Sequence, residues 1–557
     1  MKFLFPVIAV VLCLAGVGTY LSFPDTASPI PVLYWTTGPN PTRVRTVEVF
    51  HEWLITRGHG QRHELTTMEQ LRAFRDRPWT DEQRRAIASA NPEGAKVWAA
   101  GTTAADLPLS VTVPAFELRV DAGTHDMRKR VVQGVSGVAS AIFSTSGPNI
   151  DYMQQIGMLA DVTEAARELG FSLDATYPGL KPIMFVDGRQ YAFPSNVTTL
   201  SYLVNAEVFE DVGMDPPPVR WTVEQFERIG KELIARANQG PRQTVFMADR
   251  APPLFHRVFG VSMFNETMTR STLDDPRVVA SLALEHKWTH VDHLLPTAAE
   301  ISSFDVEGGM RGGLFQLVHD GHLGMFNTGR WALIELRRMG GDVPLRFAEL
   351  PHAGFACSLL TGHTLGVYQG SPHRDLATLF LAFLASETYS LRVIEIADSL
   401  PPRPDVVDLE QFTRPAAHPS EWSQDHSVHE AFARDARENG VAWSVSPYVS
   451  FEICARSYHD MRSRVLSNVA SPEEAAAAAA AHVNREIQRS LAESPELRQR
   501  YQRRLAIQRK IDEHRAADRP VPVEWIDNPY YRELYERRGW LGDAAQTPAV
   551  PPEAPTD

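Results

Sequence analysis

Cysteine is scarce in this sequence: its 557 residues contain three, Cys13, Cys357 and Cys454. A disulfide framework needs many cysteines in a short chain, so we expect a fold that is stabilised by its core. Cys357 and Cys454 are expected to be two buried thiols, with a bridge between them as the alternative. The apolar fraction of 43% and the charged fraction of 22% are typical of a globular protein that can bury a sizeable core.

Basic residues are also fewer than acidic residues. The chain has 55 Lys and Arg residues against 68 Asp and Glu residues, which gives a net charge of −13. The phosphates of nucleic acids and the headgroups of anionic lipids would be repelled by such a surface. The composition therefore argues against a nucleic-acid partner and against broad docking on an anionic membrane.

Catalytic and metal-binding motifs are missing as well. Residues 134–137 (Gly-Val-Ser-Gly) miss the Gly-x-Ser-x-Gly spacing of serine hydrolases, and no glycine-rich nucleotide-binding motif is present. The histidine pairs His290/His293 and His319/His322 have no clear third metal ligand nearby in the sequence. We therefore predict a protein that is not an enzyme and that has no cofactor and no metal site.

One apolar run is long enough to span a bilayer. Lys2 precedes an apolar stretch from Phe3 to Phe23, close to the ~20 residues that a transmembrane helix needs. A secretory signal peptide has the same charged start and apolar middle, and Cys13 adds lipid attachment as a third possibility. All three alternatives, an anchor, a cleaved signal and a lipoprotein, place the rest of the chain at the periplasmic or extracellular face. Residues 24–31 then form a short, stiff linker.

The remaining sequence alternates apolar strands with amphipathic helices. Strands are predicted at residues 32–35, 111–120 and 140–144, each followed by a loop and a helix. This alternation predicts the α/β class with a mostly parallel sheet covered by helices. Ligands bind beyond the carboxyl ends of the strands in such sheets, so the loops after Trp35 and Phe143 are the first candidates for a site.

Capping signals mark several helix starts. Thr222 with Gln225, and Ser471 with Glu474, are spaced as capping boxes, and the second is followed by proline at the first helical position. We predict helices from both, and another from Ser494.

Several motifs, in sequence order, resemble the extracellular solute-binding proteins of ABC importers, and in particular the family that includes the maltose-binding proteins. They are Leu33-Tyr34-Trp35, then Ala141-Ile142-Phe143 with residues 152–163, then residues 188–194 with Leu203-Val204-Asn205, then residues 321–325 with Gly329-Arg330-Trp331, and last Ser371-Pro372 with Ala377, Phe380, Phe383 and Leu384. The resemblance extends over about residues 32–490.

The resemblance implies a two-lobed α/β clamp, a type II periplasmic-binding-protein fold in which mostly parallel sheets flanked by helices are joined by hinge strands. The implied division is residues 32–195 and 350–400 for lobe 1, 196–349 and 401–490 for lobe 2, 57–110 for an insertion in lobe 1, 491–543 for a C-terminal helical extension and 544–557 for a disordered tail. It also implies a monomer that captures a small solute, with sugar as the expected ligand, and delivers it to ABC permease subunits in the membrane.

The resemblance further implies which residues contact the ligand. Trp331, which follows Gly329, is expected to stack on a sugar ring. The other expected contacts are Ser144, Thr145, Ser146 and Asn149 after the third strand, Asn196 and Thr198 at the crossover, Tyr448 and Glu452 from the second lobe, and Thr37 after the first strand. Arg330 would suit a phosphate ester. Binding of a phosphate ester, a polyamine or iron, and a sensor or scaffold role without transport, are the alternatives.

Overall fold

The computed structural model describes residues 28–38, 42–123, 126–145, 147–239, 244–248, 254–297, 300, 312–340 and 342–542. The expectations for residues 1–23, for residues 24–27 of the linker, for Ser146 and for the tail 544–557 lie outside the described residues.

Strands and helices alternate along the described chain. The strands are β1 Val32–Thr36, β2 Gly60–Leu65, β3 Leu109–Pro114, β4 Glu117–Asp121, β5 Ile142–Ser144, β6 Phe185–Val186, β7 Arg189–Gln190, β8 Ala192–Asn205, β9 Val245–Ala248, β10 Leu323–Thr328, β11 Leu345–Ala348, β12 Ser358–Val367, β13 Gly440–Val441, β14 Val521–Pro522 and β15 Leu541–Gly542. The α-helices are α1 Thr42–Thr56, α2 Met68–Arg75, α3 Asp81–Ala90, α4 Gly94–Trp98, α5 Met127–Val135, α6 Ile150–Gln155, α7 Thr163–Leu169, α8 Ala206–Glu210, α9 Val223–Ala237, α10 Pro276–His290, α11 Gly312–His319, α12 Ala332–Met339, α13 Arg374–Leu384, α14 Glu387–Ile396, α15 Glu410–Thr413, α16 Val428–Glu438, α17 Phe451–Leu466, α18 Pro472–Glu493, α19 Pro495–Ala516 and α20 Pro529–Arg537.

The long strand β8 belongs to both halves of the main sheet, whose strand order is β4-β1-β5-β12-β8-β10-β9. The first part of β8 pairs antiparallel with β12, from Ala192 to Leu200. The last part pairs antiparallel with β10 and β11, from Ser201 to Asn205. The outer strands are parallel, because β1 runs with β4 and β5, and β10 runs with β9. The chain therefore passes from lobe 1 to lobe 2 within a single strand.

Two clusters of buried aromatic side chains lie in the core. Lobe 1 packs helices α1 and α13 on its sheet through a cluster of buried aromatic side chains: Trp35, Phe50, Phe116, Phe380 and Phe383. Lobe 2 packs α9 and α10 on β8 and β9 through a second cluster: Tyr202, Trp221, Phe226, Phe246 and Trp288. Burial of such large side chains supplies much of the hydrophobic stabilisation of a domain.

The predicted helix starts are confirmed. Thr222 and Ser471 both form the reciprocal hydrogen bonds of a capping box, with Gln225 and Glu474 respectively. The helix predicted from Ser494 begins at Pro495 and continues to Ala516.

The prediction of one strand over residues 111–120 is wrong, because this apolar run contains two strands with different partners. β3 pairs antiparallel with β2 outside the main sheet, whereas β4 pairs in parallel with β1 inside it. Alternation of apolar residues is the same in both strands, so the pattern does not reveal where the chain changes partner. β2, β3 and helices α2–α4 enclose a separate buried cluster that includes Phe74 and Trp79.

Residues 495–542 form the C-terminal extension, made of α19, β14, α20 and β15. Its buried residues form one cluster with Phe355 and Val441. A loop of lobe 2 is also held by polar contacts: the buried Glu266 carboxylate accepts hydrogen bonds from Arg515 at 2.8 Å, Tyr535 at 2.6 Å and Gln508 at 2.9 Å. The extension is therefore fixed to lobe 2 by apolar and charge-assisted contacts together.

The two described cysteines are free and buried. Cys357 belongs to the cluster under the extension, and Cys454 to the cluster around α17 and α18. Burial raises the pKa of Cys357 to about 11 and the pKa of Cys454 to about 12. Both are thus structural thiols of low reactivity.

Within the described residues, no helix taken alone has the length and apolar character needed to cross a bilayer; α13 and α14 meet that criterion only as a pair, with a 60° bend between them.

The Glu266 contacts predict a large loss of stability on truncation. Glu266→Ala removes the shared acceptor of three donors, two of them from buried side chains, and we expect the free energy of unfolding to fall by about 3 kcal/mol. Urea unfolding measures this loss, and limited proteolysis reports whether the extension is released first. Asp274→Ala is the matched control, because the Asp274–Arg270 pair is exposed at the surface and should change stability by less than about 0.5 kcal/mol. Equal losses in both variants would contradict the anchoring role of Glu266.

Candidate functional site

An opening between the lobes lies at the carboxyl ends of β4 and β5, where α17 approaches from the lobe 2 side. We call it the cleft pocket; its volume is about 780 Å³. Its lining residues are Asp126, Met127, Arg128, Val131 and Val132 at α5, Asn149 and Tyr152 at α6, and Ser450, Glu452 and Arg456 at α17. This is the position at which parallel sheets of α/β proteins bind their ligands.

The α5 wall of the cleft pocket is fixed by a helix cap. Asp126 is the N-cap residue, and its carboxylate accepts hydrogen bonds from the backbone N–H groups of Arg128 at 2.7 Å and Lys129 at 3.2 Å. These bonds lower the pKa of Asp126, since they stabilise its charged form. The start of α5 therefore presents a carboxylate and the Arg128 guanidinium side by side.

A hydrogen bond joins the two walls of the cleft pocket. The Asn149 amide Nδ2 donates to Glu452 Oε1 at 3.2 Å. Asn149 is buried and belongs to the loop that the sequence predicted as a site, whereas Glu452 is exposed near the start of α17. The two predicted residues, distant in sequence, are thus in direct contact.

Of the ten residues that line the cleft pocket, the sequence predicted Asn149 and Glu452 and missed the other eight, among them Tyr152, Arg128 and Arg456. Tyr152 has an exposed fraction of 41%, so a ring face is available to a ligand. Helical spacing was the signal that could have found Tyr152 and Arg456, since Tyr152 lies three residues after Asn149 and Arg456 four residues after Glu452. An aromatic ring beside amide, carboxylate and guanidinium groups can stack on an apolar face and hydrogen-bond several hydroxyls.

Asn196 and Thr198 lie in a second polar group at the hinge, which we call the hinge cluster: Arg43, Asn196, Thr198, Asp398 and Ser399. Asp398 accepts a hydrogen bond from Asn196 at 3.0 Å and pairs with the Arg43 guanidinium at 3.2 Å. Thr198 Oγ1 donates to Ser399 Oγ at 2.9 Å. The cluster ties β8 to the start of α1 and to the segment that crosses back at Leu400.

Trp331 and Arg330 point in different directions. Trp331 is half-buried, its ring stands edge-on to Phe315 with 6.1 Å between centroids, and it does not line the cleft pocket. Gly329 before it allows close approach, because a Cβ there would lie 2.5 Å from the Thr198 methyl group. Arg330 has an exposed fraction of 2% and donates to His429 Nδ1 at 2.9 Å and to the Ser399 carbonyl at 2.7 Å. Its guanidinium therefore faces the protein interior.

The other predicted site residues are buried within the lobes. Thr145 Oγ1 is 2.6 Å from Thr364 Oγ1 of β12, and the Ser144 carbonyl accepts a hydrogen bond from Arg130. Thr37 is buried, with its N–H donating to the Asp121 carbonyl at 3.2 Å. Tyr448 is buried on the lobe 2 side and makes an edge-to-face contact with Tyr501 of α19. These residues support the walls of the cleft and do not line its main pocket.

The described part of the chain has no group of three or more His, Cys, Asp or Glu side chains arranged to hold a metal ion.

Comparison with known proteins gives one family match and many structural matches. Residues 116–420 match a family model described as bacterial extracellular solute-binding protein. By sequence, no curated protein matches the chain.

Three similar solved structures cover nearly the whole of their own chains. The ABC substrate-binding protein Lmo0181 from Listeria monocytogenes, in complex with cycloalternan, has 16% identity and a TM-score of 0.59, over 82% of this chain and 99% of that one. An ABC transporter solute-binding protein from Thermotoga lettingae, bound with α-D-tagatose, has 15% identity and a TM-score of 0.58, over 82% and 100%. The GacH receptor of Streptomyces glaucescens, solved unliganded and with acarbose, has 16% identity and a TM-score of 0.58, over 83% and 99%. The predicted two-lobed α/β fold is confirmed by these matches.

Behind Arg330, the His429 ring is buried and uncharged. Nδ1 accepts the hydrogen bond from Arg330, and Nε2 lies 2.9 Å from a carboxylate oxygen of Glu421. Burial and the Arg330 charge lower the pKa of His429 to about 4, against the opposing pull of Glu421. A second proton on the ring would also replace the acceptor that Arg330 needs.

This geometry predicts a pH dependence of stability. The pKa of His429 is lower in the folded protein than its ordinary 6.5, so the unfolded chain binds more protons between pH 6.5 and 4, and stability falls as the pH falls through that window. We expect the titration of the His429 ring to lower the free energy of unfolding by roughly 3 kcal/mol between pH 6.5 and pH 4. His429→Gln keeps an acceptor for Arg330 and a donor for Glu421 but cannot titrate, so its unfolding free energy should fall less steeply.

Urea unfolding at several pH values measures the two slopes. The slope of the variant should remain above zero, because burial also lowers the pKa of His51 to about 4 and the pKa of His256 to about 3. Above pH 6.5 the two curves should run parallel, which serves as the internal control. Identical slopes between pH 6.5 and 4 would show that His429 does not titrate with folding.

Proposed function

Because the chain belongs to the bacterial extracellular solute-binding proteins, we propose that it captures a carbohydrate between its two lobes and passes it to the permease of an ABC importer. The family membership confirms the resemblance drawn from the sequence motifs. It is a family of proteins that bind solutes outside the cytoplasm, and the carbohydrate, the permease and the handover are what the proposal adds.

The side chains that line the cleft pocket are the main support for a carbohydrate ligand. A neutral polyhydroxylated solute must be bound in competition with water, which requires a ring face for its apolar side and several hydrogen-bonding groups for its hydroxyls. Tyr152 supplies the ring, and Asn149, Arg128 and Glu452 are among the polar groups around it. Since the two walls belong to α5–α6 on one side and α17 on the other, a ligand that touches both stabilises the closed clamp.

The balance of charge in the cleft pocket favours a carbohydrate over the alternative ligands. The carboxylates of Asp126 and Glu452 are matched by the guanidinium groups of Arg128 and Arg456. A phosphate ester favours guanidinium groups without carboxylates beside them, and a polyamine favours acids and rings without guanidinium groups. The carbohydrates named for similar structures, cycloalternan, tagatose and acarbose, agree in class with the proposed ligand.

In this proposal Asn149 and Glu452 contact the ligand, whereas Asn196 and Thr198 hold the hinge and Trp331 packs against Phe315. Ser144, Thr145 and Thr37 support the loops of lobe 1. The protein works as a monomer, catalyses no reaction and acts at the periplasmic or extracellular face, with residues 3–23 as its signal or anchor.

A thermal-shift screen against mono-, di- and oligosaccharides, with phosphate esters and polyamines included, tests the ligand class. A ligand at 100 times its Kd adds about 2.7 kcal/mol of stability, which gives a measurable rise in Tm. We expect a rise with carbohydrates and none with the other classes.

Tyr152→Ala tests the site and should weaken the binding of that carbohydrate by about tenfold or more in calorimetry, because it removes the exposed ring. Tyr34→Ala is the matched control, since Tyr34 is a tyrosine of lobe 1 with a similar exposed fraction of 45% that does not line the cleft pocket. A loss of binding in Tyr34→Ala with none in Tyr152→Ala would place the ligand elsewhere on lobe 1. A rise in Tm with phosphate esters or polyamines alone would contradict the proposal that the ligand is a carbohydrate.

A further inference from the structure

The C-terminal extension reaches across from lobe 2 to lobe 1. Arg500 in the first turns of α19 pairs with Asp187 of the β6–β7 turn, with 3.3 Å between Nη1 and Oδ1. On the other side Arg515, Tyr535 and Gln508 of the extension donate to Glu266 of lobe 2, and within the extension Asp527 pairs with Arg504 at 2.6 Å. The extension therefore covers a site where the two lobes face each other.

A cavity of about 200 Å³ lies under this contact, and we call it the extension cavity. It is lined by all three parts of the protein: Asp151 and Phe185 of lobe 1, Trp443 and Tyr448 of lobe 2, and Arg500 and Asp527 of the extension. At ~30 Å³ for each water molecule, it has room for about seven waters or one small ring.

Tyr448, which lines the extension cavity, has a hydroxyl with no hydrogen-bond partner among the described residues. Tyr448 has an exposed fraction of 1%, and its Oη is buried. A buried hydroxyl without a partner is unfavourable, so this group is suited to a ligand that brings one. Burial also raises the pKa of the nearby Asp151 to about 6, with Arg500 opposing the shift and Asp187 adding to it.

The extension cavity and the cleft pocket are neighbours on either side of one contact. Asp151 lines the first and the next residue, Tyr152, lines the second. Tyr448 lines the first, and Ser450 and Glu452 line the second. The same two segments, α6 and residues 443–456, therefore contribute to both spaces, and the Asn149–Glu452 hydrogen bond joins these segments.

We propose that the extension cavity is a terminal subsite for the end ring of an oligosaccharide whose other rings occupy the cleft pocket, so that the extension limits the length of the ligand. This inference rests on the function proposed above. Trp443 and Phe185 offer ring faces to the sugar, and the Tyr448 hydroxyl, Asp151 and Arg500 offer partners for its hydroxyls. The extension, held to lobe 2 by Glu266, forms the end wall.

Calorimetric titration of the full chain with a length series of the oligosaccharide class found in the screen tests the subsite. We expect affinity to rise with length until the end ring fills the subsite and to fall for longer chains. Tyr448→Phe should weaken binding of the best-fitting length about fivefold, by loss of one hydrogen bond, and Arg500→Ala about tenfold. Neither variant should change the affinity for the shortest ligand, which the cleft pocket holds alone.

Two controls separate a subsite from a structural role. Tyr448→Phe should leave the Tm of the ligand-free protein unchanged, because the hydroxyl that it removes has no partner there. Arg503→Ala removes an exposed arginine of the same helix that does not line the cavity, and it should bind every length as the wild type does.

The outcomes distinguish this inference from the proposed function. If carbohydrates bind and Tyr152→Ala weakens them, but Tyr448→Phe and Arg500→Ala alter no length or all lengths equally, the terminal subsite is wrong and the function stands. If no carbohydrate binds the wild-type protein, both are wrong.

Discussion

The position of the two lobes relative to each other depends on the backbone pairing of one strand, β8. It is paired with β12 as far as Leu200 and with β10 and β11 from Ser201 onward. A shift of one residue in either pairing would turn every side chain of that half to the opposite face, so the two registers hold each other in place. The pairing therefore opposes any sliding of the two halves of the sheet along β8 and leaves its change of partner as the place where the strand can bend.

Polar side chains sit where this bend occurs. Asn196, Thr198 and Ser201 of β8 contact Asp398, Ser399 and Asp435 respectively. Hydrogen bonds of this kind contribute little net stability but are costly to leave unmade, so they fix the geometry of the crossing more than its strength. The two walls of the cleft pocket lie on opposite sides of the hinge. A small rotation at the hinge therefore produces a larger separation between Asn149 and Glu452.

Much of the fold could be predicted from local sequence signals, and the limits of the prediction have a physical cause. Thr222 and Ser471 were recognisable as helix starts because a capping box acts within four residues. Residues 111–120 were not recognisable as two strands, because the partner of a strand is decided by distant residues. The directions of side chains could not be predicted for the same reason. Arg330 and Trp331 are adjacent in one motif, yet the orientation of Arg330 is set by its hydrogen bond to His429, 99 residues later. Tyr152, three residues from a predicted site residue, was within reach of a helical-spacing argument.

The extension is better suited to shaping the closed end of the cleft than to locking it. Its contact with lobe 1 through Arg500 and Asp187 has exposed fractions of 46% and 70% for the two side chains, and pairs so exposed contribute at most about 1 kcal/mol. Its contact with lobe 2 through Glu266 is buried and hydrogen-bonded to three partners. The extension is therefore held more strongly to lobe 2 than to lobe 1, which is what an end wall fixed to one lobe requires.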